Sequence, residues 1–426
     1  MLCKTVGIVL FLFLSGCAQS AKGLHPVILV PGDGGSQVEA KLDKPTTVHY
    51  VCTKKTDEYF SLWLNLELLV PIVIDCWVDN MRLIYNFTTR GTENSDGVII
   101  NVPGFGNTTT VELLDPSGAS PGVYFKNIVE QSLIPLGYVR DENIRGAPYD
   151  FRKGPHELDY WFTDFKAMIE EAYQKNGNAS VILLSHSMGG PMSLLFIALV
   201  SLAAPWGGSV KAWKVFAAGD DLGSYVLPAH TLRGAQRTYP STAWLLPSKY
   251  FWGPEETLVS CPEKGNYTVM DFERFFKDMN YQAGYEMWKD TEALLGDHAA
   301  PGIEVHCLHG IGVSTVDSFT YTNGKYFPDK PSLVYGNGDG TVNVRSLRGC
   351  LRWASAREWK LKNDSKVVRT KTHRFVGNWR KKHFSAPETS PKIFHQEFPG
   401  VDHMEILRDK GVYDYVREVV SKMNKV

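Results

Sequence analysis

The chain has 426 residues, 43% hydrophobic and 21% charged, with a formal net charge of −1. That length holds two or three structural units around a substantial core, and the composition is that of a folded globular protein. A near-zero charge excludes bulk attraction to nucleic acid, and no nucleic-acid partner is expected.

In chain order, Lys4 precedes the apolar run from Val6 to Leu14, and small residues follow from Ser15 to Ala18. This pattern predicts a secretory signal peptide over 1–18, because the run is shorter than the ~20 residues that span a bilayer. Leu14-Ser-Gly-Cys17 also fits a bacterial lipoprotein box. Asn-x-Ser/Thr acceptors at Asn86, Asn107, Asn178, Asn266 and Asn363 favour a glycoprotein of the secretory pathway instead. Outside the leader remain Cys52, Cys76, Cys261, Cys307 and Cys350, an odd set that suits an oxidising compartment and leaves at least one thiol over. No CxxC, HExxH or similar ligand spacing occurs, so neither a metal nor a cofactor is expected.

The mature chain opens on a buried-strand pattern, His25 to Val30, that ends in the glycine-rich loop Pro31-Gly-Asp-Gly-Gly35. Between Cys52 and Asn107 the character changes. The run Leu62 to Ile74 carries only Asn65 and Glu67 as polar relief, and Pro71 interrupts it. It suits either a core helix or a stapled loop that dips into a membrane surface. Apolar residues recur at helical spacing from Tyr160 to Tyr173, ahead of a strand at Val181–Leu184. Further strands are expected at Val200–Leu202, Glu304–Leu308, Ser332–Tyr335 and Lys392–Phe398. This alternation predicts an α/β protein with a mainly parallel sheet. From Lys211 to about Ala300 the rhythm lapses into aromatic-rich sequence, read as an inserted cap. The expected units are core segments at 19–50, 111–210 and 301–426, a distinct unit at 51–110, and a cap at 211–300. A stretch rich in Lys, Arg and His, about 362–391, is expected to be a surface loop.

The chemistry centres on Ser185-His-Ser-Met-Gly189, where an apolar strand breaks into small residues around Ser187. That is the strand–elbow–helix pattern of an exposed nucleophile, with Ser185 in place of the usual first glycine. Asp339 lies between glycines in Gly336-Asn-Gly-Asp-Gly340, and His403 follows the last strand in Pro399-Gly-Val-Asp-His403. Each alone fits an ordinary turn or a structural histidine. Together they stand in the Ser…Asp…His order of α/β-hydrolases, each after a predicted strand. A serine hydroxyl needs a base, here His403, and the imidazole needs a carboxylate, here Asp339. An oxyanion site requires two donors: the N–H of Met188 and one from the loop that contains Asp33.

Long segments extend this pattern: His25 to Asp33, Val38 to Pro45, Leu64 to Leu68, Arg145-Gly-Ala-Pro-Tyr-Asp150, His186 to Gly189, Ala204-Pro-Trp-Gly-Gly208 and Gly338 to Val342. They resemble the lecithin–cholesterol acyltransferase family, in its lysosomal phospholipase branch, through nearly the whole mature chain. The resemblance implies an α/β-hydrolase core, a lid (about Asp220–Pro240) on the inserted cap at 211–300, and a small membrane-binding subdomain in the unit at 51–110. It implies calcium-independent cleavage of acyl esters of glycerophospholipids, with transfer to water or to a ceramide-type acceptor, in the lysosome or in secretions. It further implies oxyanion donors at Asp33 and Met188, and disulfides Cys52–Cys76 and Cys307–Cys350 with Cys261 free. Membrane contact is then expected from Leu62, Trp63, Leu64, Leu66 and Leu69. The partners expected are phospholipid membranes, engaged by a monomer. A secreted sterol acyltransferase and a catalytically impaired lipid-binding protein stay open as alternatives. The second arises from the segment after Gly190, which leaves only a short helix to hold the elbow.

Overall fold

Six short strands form the centre of the molecule. The computed structural model describes residues 23–117, 122–195, 199–223, 227–294, 300–354 and 392–425. The leader, Asn363 and the basic stretch at 362–391 lie outside them. The strands are β1 (Val27–Val30), β2 (Ile144–Gly146), β3 (Ile182–His186), β4 (Leu199–Leu202), β5 (Val305–Ile311) and β6 (Ile393–Pro399). They pair in the order β6-β5-β4-β3-β1-β2, and every pairing is parallel. Parallel sheets bury both faces, which is why β1 and β3 read as continuous hydrophobic runs rather than alternating ones. The amphipathic helix Asp159–Lys175 covers one face through Trp161, Phe162, Phe165 and Met168, and Lys410–Met423 buries Val412, Val416, Val419 and Val420.

Two expectations change at this level. Ser332–Gly338 is not part of the parallel sheet; it pairs antiparallel with Val313–Thr320, in a separate four-stranded sheet with Val259–Cys261 and Gly265–Tyr267. Its Val334 and Tyr335 are both exposed, so the strand lacks the two-sided cover that a parallel sheet requires. Strand β2 escaped the sequence reading, because three residues ending in Gly146 carry no strand signature. A second aromatic core, including Trp213, Phe216, Phe275, Phe276 and Tyr267, joins the expected cap to Val316, Phe319 and Tyr321, so this unit runs past residue 300.

Cys52–Cys76 and Cys307–Cys350 are disulfides, and Cys261 is free and buried. Among the described residues no helix is long and apolar enough to cross a membrane. The helix after the elbow, Gly189–Leu194, has six residues, and all of them are buried. Short as it is, it leaves none of its own core open.

Candidate active site

Parallel strands deliver their C-terminal ends to one edge of the sheet, and in open α/β sheets that edge holds the site. Here β1 delivers the Gly32–Asp33 loop, β3 delivers Ser187, and β6 leads to His403. Asp339 arrives from the antiparallel hairpin. The loop that leads to His403 packs closely over β5 because Gly310, near the end of that strand, has no side chain. A Cβ there would stand 1.8 Å from the Val401 carbonyl oxygen and 3.5 Å from the Asp339 Cβ.

Ser187 has φ +51°, the left-handed region that a non-glycine residue enters only when its surroundings impose it. Its N–H donates to Leu202 O at 2.8 Å, which fixes the elbow to β4. Gly189 is required: an added Cβ would lie 2.3 Å from Val30 O and 2.6 Å from Pro31 O. Gly32 is equally constrained, with a Cβ falling 2.7 Å from the Ser187 Cβ and 3.3 Å from Met188 N. The first-strand loop therefore lies directly on the elbow. Met188 N–H, at the start of the helix, has no intrahelical acceptor by geometry.

His403 Nε2 lies 2.9 Å from Ser187 Oγ, and His403 Nδ1 lies 2.8 Å from Asp339 Oδ2. The other Asp339 oxygen accepts N–H bonds from Thr341 (3.0 Å) and Val342 (2.7 Å). Burial raises the Asp339 pKa, but the His403 charge, its hydrogen bond and the two N–H groups outweigh this and hold the carboxyl below its ordinary value. Asp33 lines the wall of the cavity and is open to it. Desolvation pushes its carboxyl up to about 6, against the opposing pull of Lys211, the Gly34 N–H and His403.

His186, read from sequence only as a packing or hydrogen-bonding residue, occupies a buried relay. Its Nε2 donates to the His403 carbonyl at 2.8 Å, which leaves Nδ1 to accept from Tyr124 Oη at 2.5 Å. The same Tyr124 oxygen accepts the Gly32 N–H at 3.0 Å. Desolvation first, then the nearby His403 charge, lowers the His186 pKa to about 3, so the ring stays neutral. Tyr124 gave no sequence signal, since its partners are 62 and 92 residues away. The Arg145–Asp150 motif also acts through this loop. Tyr149 Oη donates to Pro31 O at 2.8 Å, and fully buried Arg152 grips Asp150 with two bonds while reaching Met81 O and Asn94.

Above Ser187 and His403 opens a cavity of about 710 Å³. Its walls are largely apolar, among them Leu69, Leu114, Phe151, Val215 and Leu245, with Asp33, Lys211, Asp220 and Arg408 as charged members. That size and lining suit a lipid chain. The segment after Cys52 forms one lip, and here the expected membrane contacts need correction. Leu62 is 0% exposed, Leu64 8% and Leu69 6%, while Trp63 is half-buried with its Nε1 donating to Gly34 O at 2.7 Å. Leu62 packs in the core, and Trp63, Leu64 and Leu69 line the cavity, since strand Phe60–Trp63 and helix Val73–Met81 pack inward. Only Leu66, of the five, is exposed (44%), and Val70 and Ile72 join it outside. Of the acceptor asparagines, Asn107, Asn178 and Asn266 are exposed, and half-buried Asn86 bonds Glu93, Thr88 and Thr89.

A serine on a left-handed elbow at the C-terminal edge of a parallel sheet, joined to histidine and carboxylate, defines an α/β-hydrolase. The family model described as lecithin:cholesterol acyltransferase matches residues 59–409. The chain belongs to that family. It is 43% identical to lysosomal phospholipase A and acyltransferase of Homo sapiens, covering 97% of this chain and 94% of the relative. Against the protein of the same name from Canis lupus familiaris the identity is 47%, over 97% of this chain and 96% of the relative. Phosphatidylcholine-sterol acyltransferase of Gallus gallus is 41% identical over 81% of this chain and 85% of its own length.

Proposed function

We propose that this chain is a serine phospholipase A and O-acyltransferase that works on membrane phospholipids through a Ser187 acyl-enzyme. The observation that carries the reading is the Ser187–His403–Asp339 line on the floor of an apolar cavity large enough for acyl chains. His403 Nε2 takes the Ser187 proton as Oγ attacks the ester carbonyl carbon. Asp339 keeps Nδ1 protonated and steadies the imidazolium, and the N–H groups of Met188 and Asp33 receive the oxyanion. As the carbonyl re-forms, His403 returns the proton to the departing lysophospholipid oxygen. Water or an alcohol acceptor then repeats the sequence in reverse: His403 removes its proton, its oxygen attacks the acyl carbon, and Ser187 is regenerated.

The alcohol acceptor in this reading is a ceramide-type primary alcohol; the relative named a sterol acyltransferase matches at lower identity and coverage than those named lysosomal phospholipase A and acyltransferase. The enzyme reaches the lysosome or the cell exterior through the secretory pathway and acts as a monomer, with Leu66, Val70 and Ile72 touching the lipid surface beside the cavity mouth.

The test offers purified protein phosphatidylcholine liposomes, alone or with ceramide or cholesterol, at acidic and neutral pH. Free fatty acid and acylceramide that vanish in Ser187→Ala support the reading. Cholesteryl ester as the main product transfers it to the sterol acyltransferase alternative. Activity that survives Ser187→Ala places the chemistry elsewhere, and binding without turnover in either protein reduces the chain to a lipid-binding one.

A further inference from the structure

Outside the cavity, one cluster of ligand-type side chains has no part in ester chemistry. His309 stands on β5, and the parallel register places it opposite Glu397 on β6, the end strand of the sheet. His395 lies two residues before Glu397 and so shares its face of the strand. The three side chains therefore converge, although 86 residues separate the two histidines. His309 Nε2 is 2.8 Å from His395 Nε2, and each of these nitrogens is 3.7 Å from Glu397 Oε1.

That triangle has the dimensions of a metal site. A point equidistant from its corners lies about 2.0 Å from each, against roughly 2.0–2.2 Å for zinc bound to imidazole nitrogen or carboxylate oxygen. The ligand chemistry agrees as well. His309 Nδ1 points to the Gly310 carbonyl at 2.9 Å; donation there leaves the Nε2 lone pair free for the cluster. A backbone acceptor behind a ring nitrogen is the usual way a ligating histidine is oriented. His309 is buried, its side chain 1% exposed, whereas His395 (19%) and Glu397 (24%) open toward solvent. The site thus has a buried anchor, two reachable partners and an outer position for water. Arg348 pairs with Glu397 through Nε at 2.6 Å and a terminal nitrogen at 3.1 Å. A carboxylate has about four acceptor positions, so this pair leaves room for a metal and orients the ligand, although its charge opposes a cation. None of the three ligands lines the Ser187 cavity.

We propose that His309, His395 and Glu397 bind one divalent transition-metal ion of the zinc class, with water completing the shell. The ion clamps β6 to β5, and β6 leads within four residues to His403. Its role is structural: it ties down the strand that carries the active-site histidine, and it is independent of the acyl-transfer reading. The residues give no linear motif, because two come from one strand and the third from its neighbour in the sheet.

The test uses chelator-stripped, full-length protein. Zn²⁺ is titrated against a chromophoric competitor, and Co²⁺ is added separately to read the visible ligand-field bands of a low-coordinate site. The wild type is expected to bind one more equivalent than His395→Leu or Glu397→Gln, or to bind it at least tenfold more tightly, and to unfold at a higher temperature with the ion. Both variants keep soluble-ester hydrolysis, which shows that they fold. Metal held by the cavity histidine would persist in them and drops out of the comparison. Equal stoichiometry and affinity in wild type and variants, or no binding in the wild type, overturns the proposal.

Discussion

Tyr124→Phe tests whether the oxyanion loop is held by the relay through His186. The substitution removes one oxygen and leaves ring packing unchanged, so no cavity larger than that atom forms. It strips two buried groups of their partner: the Gly32 N–H, bonded at 3.0 Å, and His186 Nδ1, bonded at 2.5 Å. An unsatisfied buried polar group costs about 1–3 kcal/mol, so the pair is worth about 2–6 kcal/mol in urea unfolding. Gly32 precedes Asp33 and presses against the Ser187 Cβ, so relaxation of this loop also shifts the oxyanion donor. Outright removal of such a donor costs about 10²–10³ in kcat, and partial misplacement is expected to cost at least tenfold with KM little changed. The assay is burst and steady-state hydrolysis of a soluble nitrophenyl ester, beside a double-mutant cycle with His186→Gln. A stability loss under about 0.5 kcal/mol together with unchanged kcat refutes the argument.

Asp33→Asn should alter the pH response. Between the ordinary 3.8 and about 6, the folded chain holds a proton on Asp33 that the unfolded chain has lost, so its contribution to stability falls as pH rises through that window. The variant lacks this fall, and above about pH 6 it also lacks the anion that opposes a developing oxyanion; parallel pH profiles of urea midpoint and of ester hydrolysis in both proteins would contradict this. Leu66→Ser and Val70→Ser should each weaken liposome binding roughly fivefold to tenfold, from partial burial of one aliphatic side chain in lipid, and spare the soluble ester. Leu62→Ser, in the core, should depress both assays through instability, and the opposite pattern would reverse the assignment of the lip. Gly189→Ala drives a methyl group into the carbonyls of Val30 and Pro31, so expression or kcat should collapse; a stable variant of normal activity would mean that the elbow yields more easily than its contacts indicate.

Much of the architecture was legible before any coordinates. Mainly apolar runs marked the buried strands β1, β3 and β4, because a strand covered on both faces has few polar positions to interrupt it. Helical periodicity located Asp159–Lys175, and the small residues around Ser187 marked the elbow, because a tight turn against neighbouring backbone admits nothing larger. These signals are local, and local sequence determines them. The tertiary structure decided what depends on distant partners. Strand Ser332–Gly338 left the parallel sheet for an antiparallel hairpin. The run after Cys52 turned Leu62, Leu64 and Leu69 inward and Leu66, Val70 and Ile72 outward, since a nearly all-apolar stretch has no polar face to indicate its inner side. Tyr124, Arg152 and Gly310 had no signature, because each acts on groups tens of residues or more away. The odd cysteine count by itself allowed many pairings; the family resemblance implied Cys52–Cys76 and Cys307–Cys350, and the fold brings those pairs together. The order of Ser187, Asp339 and His403 was written in the chain; the 2.8 Å and 2.9 Å spacings that join them exist because three loops meet at one edge of a sheet.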